Sequence, residues 1–139
     1  MKYMILAYGS QQDYDAMAGK DVGGPAWTAE ERAAVGEFTA AFDQELSESG
    51  ELVETRGLDA PVHAGRISNG ADRGPVVTDG PYAETQEVMA GYWIVECESF
   101  DRATEIAARL SHTSGPAHVD ARAYADVRSL AESRADLEL

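Results

Sequence analysis

Residues 2–9 carry apolar side chains on both alternating sets, Tyr3/Ile5/Ala7 and Met4/Leu6/Tyr8, the pattern of a central strand covered on both faces. Residues 10–27 replace it with Gly, Asp and Gln, ending at Gly23-Gly24-Pro25. They read as a long polar loop, either a lid or dispensable decoration. Thr28-Ala29-Glu30-Glu31 is a capping box, in which residues one and four satisfy each other's free backbone N–H groups. The helix it opens places Val35, Phe38, Phe42 and Leu46 on one face and ends near Ser49-Gly50, a core-facing stripe. Its acids, Glu37, Asp43, Glu45 and Glu48, read as a solvated outer face.

Residues 51–58 alternate as a strand, and 63–68 and 75–78 form two more, joined by the glycine-rich segment 69–74 as a hairpin. Residues 88–97 are another apolar strand. Ser99 caps a second helix with Phe100, Ala103, Ile106, Ala107 and Leu110 as its stripe, and 111–116 breaks it. Residues 118–127 alternate cleanly, with Val119, Ala121, Ala123, Ala125 and Val127 against His118, Asp120, Arg122, Tyr124 and Asp126. The tail from Ser129 is expected to fray or form a short surface helix.

Two helices on one face of a mostly antiparallel sheet make an α+β, ferredoxin-like split βαβ arrangement. The helices cover one face, leaving the other open with Tyr and Trp side chains. An open aromatic sheet face is an interaction surface, so a homodimer is expected. The 139 residues are enough for one domain without staples, here 1–128 with a tail at 129–139.

Composition narrows the partners. With 25 acids against 11 bases the chain carries a net charge of −14, which phosphate backbones and anionic lipid surfaces repel; neither nucleic acid nor membrane is an expected partner. No apolar run nears the roughly 20 residues of a membrane span, and no signal-peptide pattern opens the chain. The single cysteine, Cys97, excludes an internal disulfide, reads as a buried thiol, and fits a cytoplasmic protein. Gly-rich phosphate loops, nucleophile elbows, Cys/His clusters and dinucleotide fingerprints are missing from the sequence, so no cofactor is expected.

Candidate chemistry centres on Val77-Thr78-Asp79-Gly80-Pro81-Tyr82-Ala83-Glu84-Thr85. A strand stops at Asp79-Gly80-Pro81, which forces a turn, and presents a carboxylate, a phenol and a second carboxylate. Asp79 is the candidate general acid or base, although an Asx-turn would use the same residue. Tyr82, Glu84, Thr85 and Tyr92 are candidate ligand contacts. Residues 83–87 also fit one helical turn, with Glu84 favouring its N-terminal dipole. His63 and Arg66 follow Pro61 on a short strand, where Arg66 would clamp a carboxylate or pair with an acid. His118 and Asp120 share a strand face beside Arg122 and Tyr124; His118, like His63, is a candidate ligand contact, and the pair would share a proton, join a metal site or serve a polar dimer interface. A metal needs at least three ligands and His112 lies in another segment, so no metal site is expected.

The 77–85 segment resembles the signature of the DGPF group of YCII-related proteins, with Tyr82 where the name has Phe. The opening Met1-Lys2-Tyr3-Met4-Ile5-Leu6-Ala7-Tyr8-Gly9 resembles that family's first strand, so the likeness spans roughly 1–128. It implies a dimer whose two sheets face each other in an α/β barrel. Enzyme-like relatives carry an Arg-x-x-His pattern on the first helix and an Asp before the proline that follows the second. Here the first helix has no histidine, and Pro116 follows Gly115, so that dyad and its dehalogenase or lactone chemistry do not carry over. Two readings stay open. One is a small-molecule-binding protein, either a simple binder or an enzyme doing acid/base or elimination chemistry on a small organic substrate. The other is a non-catalytic dimeric module, linked by the resemblance to extracytoplasmic-function sigma factors.

Overall fold

The computed structural model describes residues 1–79, 82, 83, 85–113 and 115–137, the side chain of Asp79 excepted. Strand β1 (Lys2–Gly9) sits at the centre of a four-stranded sheet because both of its faces are apolar; Ile5 has no exposed surface. β5 (Val88–Glu96) and β6 (Ala125–Ser129) flank it antiparallel, and β2 (Leu52–Gly57) completes the order β2-β5-β1-β6. This is the ferredoxin-like α+β order expected from the chain.

The helices follow their caps. α2 (Ala29–Glu48) starts at the Thr28/Glu31 capping box and stops at Ser49, with Gly50 at φ 78° taking the left-handed turn. α3 (Phe100–Ala108) begins at Ser99, whose side chain accepts from the Arg102 N–H. Phe42 and Leu46 of α2 and Ala103, Ile106 and Ala107 of α3 pack on Tyr3, Ile5 and Val95 as one core, with Phe38, Trp93, Cys97, Ala125 and Val127 around it. Phe100, expected in the stripe, is 51% exposed and touches Tyr3 only edge-on, at 6.0 Å between ring centres.

Several expectations are corrected. Residues 10–27 are not all loop: α1 (Gln11–Met17) forms because Ser10 and Asp13 make a second capping box. The strand expected over 118–127 is only half strand. α4 (Ala117–Asp120) is a helical turn following Pro116, so His118 and Asp120 do not share a strand face. Alternating alanines satisfy a helical turn as readily as a strand, and proline, with its fixed φ, suits a helix start. His63 lies in a 3-10 turn (Pro61–His63) rather than a strand. β3 (Gly65–Asn69) and β4 (Pro75–Asp79) pair only with each other, forming a separate hairpin. Finally, Trp93 faces the helices, packing edge-on against Phe42; Tyr92 belongs to the open face.

Candidate ligand cavity

The core fills only one half of the space between sheet and helices. In the other half the strands carry small residues, Ala7, Gly9, Gly57, Ala90, Gly91 and Ala125, opposite Val35, Thr39 and Asp43 of α2. Too little side-chain volume remains there to close the layer, and a cavity of about 570 Å³ opens, within the range of small-molecule sites. At Gly91 the small residue is obligatory, because a Cβ would lie 2.9 Å from the Arg56 carbonyl oxygen across the β2–β5 pair. A register shift between Ala7 and Tyr8 marks the cavity end of β1, as bulges near sites commonly do.

α1 and the segment after it wall the cavity. The Tyr14 hydroxyl donates to the Leu58 carbonyl at 2.8 Å, tying α1 to the end of β2. The Trp27 backbone N–H bonds the Ala16 carbonyl at 3.2 Å, and the residue is buried, 8% exposed. Gly115 makes room for that ring: a Cβ there would approach Trp27 Cη2 to 3.2 Å and Val35 Cγ2 to 3.3 Å. The position where the resemblance would place an aspartate is thus packed against a tryptophan, and a carboxylate would have to displace it. Trp27 and Trp93, the chain's two tryptophans, both line the cavity, with Tyr8, Tyr14 and Tyr124.

Charge gathers at two places in the wall. At the mouth, Arg122 Nη2 donates to Asp13 Oδ1 at 2.6 Å, while Nη1 lies 3.8 Å from Glu87. Burial pushes the Asp13 carboxyl up, but the Arg122 guanidinium and the Ser10 cap bonds outweigh it and hold the carboxyl below its ordinary range. The neighbouring Glu87 carboxylate, with desolvation and the nearby negative charge of Asp126, pushes the Tyr124 phenol up to about 12. Tyr124 stacks on Tyr8 with ring centres 5.1 Å apart, and the Tyr8 hydroxyl donates to Asp126 at 2.7 Å. The second place is α2, where Asp43 accepts from the Trp93 indole Nε1 at 2.7 Å. Asp43 is therefore no outward solvated acid but part of the cavity lining.

The described residues among those singled out in the sequence lie elsewhere. Asp79 ends β4, opposite Gly65, with its side chain outside the described residues, as is Glu84. Arg66 of β3 places its guanidinium 5.4 Å from the centre of the Tyr82 ring, a cation–π contact that brings two of the candidates together on the hairpin. Thr85 is exposed in a turn closed by the Gln86 N–H on the Ala83 carbonyl at 3.0 Å. His63 Nδ1 lies 2.9 Å from Asp59 on the surface, and His118 is exposed on α4. Tyr92 sits beside Leu6 on the open sheet face. None of Tyr82, Thr85, Tyr92, His63, Arg66 and His118 lines the cavity. Among the described residues no three His, Cys, Asp or Glu side chains are arranged to hold a metal ion.

Asp13, Trp27, Asp43 and Glu87 escaped the sequence reading. The usable signals were the Ser10-x-x-Asp13 cap and the presence of just two tryptophans. Among known proteins, the chain is similar to an uncharacterised protein of Rhizobium meliloti (strain 1021), 32% identical over 114 residues that cover 82% of this chain and 83% of that protein. The model of the YCII-related domain matches residues 1–128. With the split βαβ sheet and the match running nearly end to end, the chain belongs to the YCII-related domain family.

Proposed function

We propose that this protein binds a small, largely apolar organic molecule in the cavity between β1, β2, β5 and the helices α1 and α2. The observation that carries the reading is the cavity itself: about 570 Å³, walled largely by aromatic and aliphatic side chains, with Asp13, Asp43, Arg56, Glu87 and Arg122 as its charged lining residues. Apolar walls supply affinity, and a few fixed polar groups supply orientation.

Thermal melting of the wild type and Thr39→Phe across a library of small amines, carboxylic acids, phenols and lactones tests it. Thr39 lines the cavity, and its hydroxyl bonds only back to the Val35 carbonyl of its own helix, so phenylalanine adds volume without stripping a tertiary contact. A cavity ligand raises the melting point of the wild type and not of the variant. A library without hits, or hits that stabilise both proteins equally, overturns the proposal.

Homodimerisation through the open sheet face belongs to the same reading. Met4 pairs with Ile94 and Leu6 with Tyr92 across β1 and β5, and Glu54, Arg56, Asp126 and Arg128 border this apolar stripe on the neighbouring strands. An apolar centre with both signs of charge at its edges is self-complementary, as a twofold interface requires. Sedimentation equilibrium is expected to give twice the monomer mass.

A further inference from the structure

Resting on the ligand-cavity reading, we infer that the cavity selects organic cations, an amine or quaternary ammonium attached to a ring or short apolar body, with Asp43 as the counter-ion. Three acids (Asp13, Asp43, Glu87) and Arg122 line the cavity; Arg56 is also in the lining but stands opposite Tyr92 of the open sheet face. Arg122 lies between Asp13 and Glu87 and serves both. Arg56 is turned to its own strand, donating to the Thr55 carbonyl at 2.9 Å and lying 3.8 Å from Glu54. That leaves Asp43, which no cationic side chain among the described residues pairs; its polar partner is the Trp93 indole on one oxygen. The uncompensated charge of the lining is therefore negative, and it sits on a half-buried side chain beside an aromatic ring.

The walls point the same way. Trp27, Trp93 and Tyr14 line the space of about 570 Å³, and aromatic rings attract ammonium groups, tryptophan most strongly. A carboxylate ligand would meet the opposite conditions. Its anion would lie near Asp43 and Glu87, and the one guanidinium at the mouth already holds two acids. A neutral alcohol would leave the Asp43 charge uncompensated.

The test is tryptophan-fluorescence and calorimetric titration with matched probes sharing one ring: benzylamine, benzyltrimethylammonium, benzyl alcohol and benzoate, with their naphthyl counterparts. Wild type and Asp43→Asn are titrated in parallel; the asparagine keeps an acceptor for the Trp93 indole, and an unchanged melting point confirms it. The cations are expected to bind at least tenfold more tightly than the alcohol and the carboxylate, and Asp43→Asn to abolish the preference. Alcohol or benzoate binding as tightly as the cations overturns the inference while leaving the cavity reading intact. So does a cation preference that survives in Asp43→Asn. Silence from every probe, together with silence from the wider library, overturns both.

Discussion

Breaking the bond between Asp13 and Arg122 tests how α1 is held over the cavity. Asp13 does two jobs: it accepts the Ser10 N–H at 2.9 Å, closing the cap of α1, and it accepts from Arg122 across 109 residues of chain. Asp13→Ala removes both; Asp13→Asn keeps an acceptor for the cap and removes the charge. A charge-assisted hydrogen bond is worth about 1.5–3 kcal/mol, but the Arg122 side chain is 51% exposed, so screening reduces the pair to about 0.5–1.5 kcal/mol. The cap adds about 0.5–1 kcal/mol. We therefore expect Asp13→Asn to cost about 1 kcal/mol and Asp13→Ala about 1–2.5 kcal/mol. For a chain of this length each kcal/mol is roughly 3 °C in melting temperature. A double-mutant cycle with Arg122→Ala, read by urea denaturation, should return a coupling of about 0.5–1.5 kcal/mol that falls in high salt.

The pH dependence follows from the same pair. The Asp13 carboxyl is held below its ordinary range in the folded protein, so the unfolded chain binds its proton more readily. Its stabilising contribution is then complete above the unfolded value of about 3.9 and is lost as the pH falls through the lower folded value. The stability gap between wild type and Asp13→Asn should be full at pH 7 and shrink below about pH 4. A coupling of zero, or a gap that persists unchanged into acid, would refute the role of the Asp13–Arg122 bond in holding α1.

Other predictions are more local. Gly91→Ala should destabilise by about 1–3 kcal/mol, because the added Cβ meets a backbone oxygen that cannot swing aside; equilibrium denaturation measures it, and a neutral outcome would mean that β2 and β5 separate easily. Gly115→Asp should shift the emission of Trp27 and lower the melting point, since the new side chain starts within 3.2 Å of that ring; unaltered emission would show that the segment yields instead. In spectrophotometric titration one tyrosine should ionise late, near pH 12, and Glu87→Gln should bring it down toward the others, because the Glu87 carboxylate is the main cause of the Tyr124 shift.

The layer architecture was legible because it is written in local signals. The two-sided apolar strand at 2–9, the Thr28/Glu31 and Ser99 caps and the 3.6-residue stripe of α2 each act over a few residues, and each appears where its pattern lies. The errors share one origin. Alternating small residues at 118–127 fit two conformations, and tertiary packing chose a helical turn for the first half. The second capping box was hidden in a segment whose glycines suggested loop. The cavity was the least legible feature, because it arises from what the strands lack, side-chain volume at Ala7, Gly9, Ala90 and Gly91, and from α1 and Trp27 arriving from a distant stretch of chain. A turn rich in acids and tyrosine draws attention in the sequence. An absence of volume between two layers does not.

Because both tryptophans line the cavity, their emission is a direct reporter of its occupancy. We would titrate any stabilising ligand against the wild type and the single-tryptophan variants Trp27→Phe and Trp93→Phe. A saturable change in emission is expected from both tryptophans, with a Kd matching that from the melting shift. A ligand that stabilises the protein while leaving both emissions unmoved would be binding elsewhere, and would contradict the cavity as the functional site.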